Sequence, residues 1–237
     1  MTQVRGLLSP PDEAIFRGQA RDNTELLKAW AGTTLAYAIA QVGATRILSN
    51  LFLIFLLIAA IVCGLGFVLH ELGHRIVARR YGAQAHFVAN NAWLLISIAI
   101  AFAGIFIAAP GAVWYRGYLT KAQSGHIALA GPVANFGLAV LFLVAFPILH
   151  ALGVTQSDAA LLGAPLPVLV YLICSIGAGL NAFIGLFNMI PAGPFDGAKV
   201  LEWSPLVFGV TVAVGLVLTF VVRPETIWRL LGVPLPF

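Results

Sequence analysis

The chain has 237 residues, of which 60% are hydrophobic and only 9% are charged, and its mean hydropathy is +0.97. Soluble domains carry about 25% charged residues, so this composition excludes a soluble globular protein and predicts a membrane protein. The net charge of +4 comes from few residues and indicates no nucleic-acid-binding surface. The two cysteines lie inside apolar segments and provide no disulfide framework.

The first 28 residues are the most polar part of the chain. They lack the basic start and early apolar core of a secretory signal, so we expect a cytosolic tail. Its last residues predict the start of a short helix, capped by Asn23 or Thr24. No later hydrophilic block is large enough for a second soluble domain, so residues 29–237 predict a single transmembrane domain.

Six apolar segments are candidates to cross the bilayer, because a spanning helix needs about 20 mostly apolar residues. In chain order they are 29–45, 48–74, 92–109, 126–149, 167–190 and 205–222. The third segment runs into Pro110-Gly111, which interrupts a helix. The predicted fold class is therefore an all-α polytopic membrane protein with about five to six transmembrane helices.

A metal-binding pattern ends the second segment, where HELGH covers residues 70 to 74. Residues four apart lie on one face of a helix, so His70 and His74 can bind the same metal ion. Zinc accepts imidazole ligands, and catalytic zinc keeps three protein ligands and one open position. Glu71 can act as general base toward the attacking water. Ionisable groups are rare at membrane depth and usually functional, which disfavours two merely structural core histidines.

A third ligand is expected from NMIPAGPFDG, residues 188–197. Pro191 and Pro194 end the apolar helix 167–190 and shape an irregular turn. At membrane depth such a turn is tolerated only when it is buried in protein or lines a watery cavity. Asp196 inside this turn is placed to meet a metal, or it could cap the following helix without binding one.

Three motifs follow one another between about residues 60 and 205: HELGH, GPVAN at 131–135, and N-x-x-P-x-x-P-x-D-G at 188–197. Together they resemble the site-2 protease family of intramembrane zinc metalloproteases, and most closely its minimal archaeal members, which lack an inserted PDZ domain. The resemblance implies a metalloprotease domain with its zinc-site core at about 48–204. It also implies that Zn²⁺ is bound by His70, His74 and Asp196, that Glu71 activates water, and that Asn188 lies near the scissile carbonyl.

The same resemblance implies the activity and the partners. We expect hydrolysis of peptide bonds within or near transmembrane segments of membrane-protein substrates, as in regulated intramembrane proteolysis. The expected partners are a transmembrane protein or peptide and the membrane lipids, and the sequence does not indicate an oligomeric state. Residues 108–117 are similar to the glycine-containing strand that follows the zinc-binding helix in this family.

The ligands restrict the topology, because they must lie at one depth. With six full crossings, Asp196 would lie a bilayer of about 30 Å from the histidines, whereas zinc ligands lie about 2 Å from the metal. We therefore expect 92–109 to be a re-entrant helix and strand, with the N-terminus and the zinc site toward the cytoplasm. This topology places ten of the thirteen basic residues inside and three outside. Six crossings would place nine inside and four outside, so the excess of basic residues on the cytoplasmic side slightly favours the re-entrant topology.

Two alternatives stay open. A membrane zinc protease of the CAAX-processing type would take its third ligand from a downstream helical glutamate, for which Glu202 and Glu225 are the candidates. A metal transporter, or a non-catalytic metal-binding membrane protein, would need a polar path through the bilayer. Among the other polar residues, we expect Asn135 to tie helices together, and His126 to be a surface residue or a neighbour of the site.

Overall fold

A computed structural model describes residues 13–18, 21–107, 110–152, 166–223 and 226–227. The chain divides into two compact units between Leu119 and Thr120. Over the described residues both units are helical, except for one two-stranded sheet in the first. The predicted tail, residues 1–28, falls partly outside the described residues. The predicted single domain over 29–237 stays a prediction.

The first unit contains four α-helices and two strands within its described residues. They are α1 (Asp22–Val42), α2 (Asn50–Ala59), α3 (Leu65–Arg80), β1 (Gln84–Ala89), α4 (Asn91–Ala101) and β2 (Gly111–Arg116). A π turn, Ala60–Gly64, joins α2 to α3. One continuous helix therefore runs from Asn50 to Arg80, six residues beyond the predicted segment.

The start of α1 differs from the prediction. The helix begins at Asp22, its N-cap is Arg21, and no side chain makes a capping hydrogen bond. Asn23 and Thr24 lie inside the first turn, so the prediction that one of them caps the helix is wrong. The physical reason is that the Asp22 carboxylate accepts hydrogen bonds from Arg75 and Arg79 of α3, and an acid in the first turn also favours the positive end of the helix dipole.

The sheet pairs β1 with β2 in antiparallel register, from Gln84 opposite Arg116 to Ala89 opposite Gly111. A Cβ atom at Gly111 would lie 2.4 Å from the carbonyl oxygen of Val88, so only glycine permits this approach. A strand within residues 108–117 is thus confirmed as β2. The strand β1 has no counterpart in the sequence-based predictions.

The core of the first unit joins α1, α3, the sheet and α4 through Leu26, Ala29, Phe67, Phe87 and Leu94. The rings of Phe67 and Phe87 meet edge to face, with their centroids 5.6 Å apart. This packing fixes α3 against the sheet directly before its histidines.

The second unit is entirely helical over its described residues. Its helices are α5 (Lys121–Ala151), α6 (Leu166–Phe187), α7 (Asp196–Trp203) and α8 (Pro205–Leu216), and a π turn, Val217–Val221, follows. Asn135 of α5 donates a hydrogen bond to Asn181 of α6 at 3.0 Å, and both side chains are fully buried. The predicted role of Asn135 in tying helices together is therefore confirmed.

Within the described part of the chain, three helices are long and apolar enough to cross a membrane: Asn50–Arg80, Lys121–Ala145 and Leu169–Phe187. Two shorter apolar helices are Asn91–Ala101 and Pro205–Val221. The chain is thus a mostly helical, integral membrane protein, as predicted. The number of spans and the re-entrant segment stay predictions.

Candidate metal centre

The two histidines of HELGH lie on α3 with Glu71 beside them. All three side chains are buried and lie on a helix long and apolar enough to cross a membrane, with exposed fractions of 5% for His70 and 7% for Glu71 and His74. The imidazole rings meet edge to face, with their centroids 4.6 Å apart. The helical spacing therefore brings both rings to one buried side of α3, as the sequence predicts.

Asp196 is the first residue of α7 and is half-buried. The N-cap of α7 is Phe195, which has an extended backbone. Asp196 therefore does not cap this helix, and the alternative assignment as a helix cap is wrong. The preceding turn contains Gly193 with φ of +59°, a conformation that side chains rarely adopt.

A backbone hydrogen bond holds the segment that contains Asp196 close to Asn188. The amide of Gly197 donates a hydrogen bond to the carbonyl oxygen of Asn188 at 2.8 Å. A Cβ atom at Gly197 would lie 2.2 Å from the carbonyl oxygen of Met189, so no side chain fits there. The glycine that follows Asp196 is thus required by the close approach of two backbone segments. This requirement was not predicted from the sequence.

His70, His74 and Asp196 form a group that could hold a metal ion, since one ligand atom from each lies within 4.8 Å of the others. Two imidazole nitrogens and one carboxylate oxygen are a donor set that zinc accepts in catalytic sites, where one position stays open. The residues present therefore fit zinc in number and in kind. The roles of these three residues as ligands stay predictions.

Asn188 follows the last residue of α6. Its Nδ2 atom donates a hydrogen bond to the carbonyl oxygen of Ile184 at 2.9 Å. A side-chain amide nitrogen carries two hydrogens, and this bond uses one of them. The bond orients the amide and leaves a second N–H for another acceptor.

The other described histidines lie outside this group. His126 packs edge to face against Trp203, with ring centroids 4.3 Å apart. His86 lies 3.2 Å from a carboxylate oxygen of Asp22 through its Nδ1 atom. These contacts give both residues structural partners, and the expected position of His126 at the surface or beside the site stays a prediction. The side chain of His150 lies outside the described residues.

The glutamate ligand required by a CAAX-type site is not supported. Glu202 pairs with Lys121 at 3.1 Å, and its side chain is 61% exposed. It does not belong to the metal-binding group found within the described part of the chain. Glu225 lies outside the described residues.

An ion network around Asp22 was not predicted from the sequence. One carboxylate oxygen of Asp22 accepts hydrogen bonds from Arg75 at 3.1 Å and from Arg79 at 3.0 Å. Arg79 also donates to the carbonyl oxygen of Ala85 at 2.7 Å. The network joins the start of α1 to the last turns of α3 and to β1. No sequence signal could have shown it, because Asp22 lies more than fifty residues from either arginine.

A buried glutamate beside two buried histidines of a candidate metal-binding group, on a long apolar helix, is the pattern of a zinc metalloprotease. Peptidase family M50 matches residues 58–204, which is more than half of the chain. The chain therefore belongs to peptidase family M50. This membership confirms the predicted recognition and the predicted enzyme class, a zinc metalloprotease.

Two proteins of Methanocaldococcus jannaschii are similar to the chain. "Putative zinc metalloprotease MJ0611" is 40% identical over 164 residues, which cover 68% of this chain and 78% of that protein. "Zinc metalloprotease MJ0392" is 31% identical over 136 residues, which cover 57% of this chain and 30% of that protein. No solved structure matches the chain.

Proposed function

We propose that the chain is an intramembrane zinc metalloprotease that hydrolyses peptide bonds within or near transmembrane segments of membrane-protein substrates, as in regulated intramembrane proteolysis. The observation that carries the proposal is the group of His70, His74 and Asp196, with Glu71 buried on the same apolar helix as the histidines. Membership of peptidase family M50 supports the reaction class. The burial of the histidines in a long apolar helix supports chemistry at membrane depth.

In this proposal His70, His74 and Asp196 hold the zinc ion. Bound zinc supplies a Lewis acid that polarises a carbonyl group and lowers the pKa of water toward about 7. The two imidazoles are buried and would hold the ion away from bulk water, and the half-buried Asp196 carboxylate would supply the negative charge that attracts it. The backbone hydrogen bond from Gly197 to Asn188 limits the movement of that carboxylate.

Glu71 and Asn188 carry the remaining steps of hydrolysis. The Glu71 carboxylate takes a proton from the attacking water and passes it to the leaving amine as the peptide bond breaks. The second N–H of the Asn188 amide donates to the oxyanion that develops on the scissile carbonyl. The bond from Asn188 to Ile184 fixes the amide before the substrate arrives.

A substrate helix must unwind before it can be cut, because its amides are bonded to one another in lipid. We expect the purified protein, in lipid vesicles with zinc, to cleave a single-span reporter whose helix contains a central Gly-Pro pair. Removal of zinc with 1,10-phenanthroline should stop cleavage, and added Zn²⁺ should restore it. Cleavage is measured by mass spectrometry of the two fragments.

A reporter with an uninterrupted leucine helix is the matched control, and we expect it to resist cleavage. The protease proposal fails if zinc-loaded protein cuts neither reporter. It also fails if cleavage of the Gly-Pro reporter continues after zinc removal, since the activity would not then depend on the metal.

The topology that we propose has five spans and a re-entrant segment between β1 and β2. The helix α4 has 11 residues, which extend about 16 Å at 1.5 Å per residue, against a hydrocarbon core of about 30 Å. The antiparallel pairing of β1 with β2 supports a chain that returns to the side it left. The bonds of Asp22 to Arg75 and Arg79 support an arrangement in which α1 starts on the side where α3 ends.

Cysteine labelling tests this topology and the proposed cytoplasmic side of the N-terminus and the zinc site. Leu48, between α1 and α2, and Tyr118, after β2, are both fully exposed, whereas the native cysteines are buried. A membrane-impermeant maleimide should label Leu48→Cys in intact cells and Tyr118→Cys only after permeabilisation. If both Tyr118→Cys and Leu48→Cys are labelled in intact cells, the result would favour six crossings. If Tyr118→Cys is labelled there and Leu48→Cys is not, the result would favour the inverted orientation, with the N-terminus outside.

A further inference from the structure

The helix that carries the metal-binding histidines contains an irregular turn. The π turn Ala60–Gly64 lies between α2 and α3, in the helix that continues to His70 and His74. A π turn accommodates one additional residue within an α-helix, is rare, and occurs frequently near functional sites. This position suggests a role in setting the direction of the histidines.

Residues on both sides of the π turn are buried, among them Ile58 before it, Val62 within it and His70 and His74 after it. In an α-helix of 3.6 residues per turn, the twelve steps from Ile58 to His70 amount to three turns plus about 120°. If the π turn absorbs one residue, eleven steps remain, which amount to three turns plus about 20°. The π turn therefore reduces the angle between Ile58 and His70 about the helix axis from about 120° to about 20°.

Trp30 of α1 contacts this turn directly. Its indole Nε1 atom donates a hydrogen bond to the carbonyl oxygen of Ala60 at 3.0 Å. A Cβ atom at Gly64 would lie 2.3 Å from both Cδ1 and Nε1 of Trp30. The glycine thus allows the indole to lie against the last residue of the turn while its N–H reaches the first.

We propose that Trp30 is a positioning residue, which stabilises the π turn and thereby fixes the rotation of α3 that presents His70, Glu71 and His74 to the metal. A π turn disrupts the regular ladder of backbone bonds, so an outside donor to one of its carbonyls favours it over a plain helical turn. Without that donor, the π turn can revert to a regular α-helical turn. The following helix α3 would then rotate about its own axis by up to about 100°, the rotation that one residue contributes. The inference rests on the proposed function for the identity of what the histidines bind.

Trp30→Phe tests the inference, because it keeps an aromatic ring and removes the indole N–H. We expect the purified variant to bind Co²⁺ about 10- to 100-fold more weakly than the wild type, the range seen when residues that orient metal ligands are replaced. The visible absorption of bound Co²⁺, which reports the ligand geometry, should also change. Gly64→Ala should give the same changes through a clash with the indole, and the double variant should show no further loss.

Trp93→Phe on α4 is the matched control, and it should keep the wild-type Co²⁺ affinity and spectrum. Thermal unfolding of each variant separates a local effect from loss of the fold. If Trp30→Phe does not fold, Gly64→Ala provides the same comparison. Wild-type Co²⁺ affinity and spectrum in a folded Trp30→Phe or Gly64→Ala protein would overturn the inference. If wild-type protein binds Co²⁺ but cleaves no reporter, the protease proposal fails and this test still stands.

Discussion

Asp196→Ala is expected to lose both zinc and proteolytic activity. The substitution removes one of three protein ligands, and its effect on affinity should exceed the 10- to 100-fold that supporting residues contribute. Zinc content after dialysis should fall from about one ion per chain to near zero, because a catalytic zinc site depends on three protein ligands. Metal analysis of the purified protein, together with cleavage of the Gly-Pro reporter, measures both effects.

Glu202→Ala provides the control for Asp196→Ala. Both residues are carboxylates of α7, but Glu202 is exposed and pairs with Lys121. We expect this control to keep its zinc and to cleave the reporter at the wild-type rate. If Asp196→Ala retained stoichiometric zinc, the ligand assignment of Asp196 would be wrong and the topology argument built on it would lose its basis.

Glu71→Gln should keep zinc and abolish proteolysis. Glutamine has nearly the shape of glutamate and can fill the same buried position, but it cannot accept the proton of the attacking water. General acid–base catalysis contributes about 10²- to 10⁴-fold, so single-turnover cleavage should slow by at least that factor. Zinc content measured on the same preparation should equal that of the wild type, because Glu71 is not one of the ligands.

Glu202→Gln makes the same chemical change at an exposed position and should leave both readouts unchanged. Proteolysis retained by Glu71→Gln would refute the assignment of the general base. Zinc transport by the wild type that survives Glu71→Gln, without cleavage of any reporter, would favour the transporter alternative. The pair of variants thus separates metal binding, for which we propose Asp196, from proton transfer, for which we propose Glu71.

The candidate metal ligands were predictable because each signal is local. The spacing of His70 and His74 places both rings on one side of any helix, and runs of about 20 apolar residues predict spanning helices. Asp196 stood out because two prolines close before it break a helix at membrane depth. Irregular backbone is tolerated there only when it is buried in protein or lines a watery cavity. Local sequence was thus enough for the class of protein and for its candidate ligands.

Other features depend on contacts between distant residues. The strand β1, QAHFVA, alternates polar and apolar residues only over its first four positions, and its pairing partner β2 begins more than twenty residues later. The start of α1 follows from the bonds of Asp22 to the arginines of α3 rather than from a capping side chain. In both cases the partner that decides the structure is absent from the local sequence.

By itself the sequence determined that this is a membrane protein and which side chains can bind a metal ion, because helical periodicity and hydropathy act within a few turns of chain. Only the tertiary structure decided where α1 begins, which strand pairs with β2 and how far α3 is rotated. The rotation depends on a π turn that Trp30 contacts from another helix. Such a contact has no local pattern, because it forms only when two helices pack.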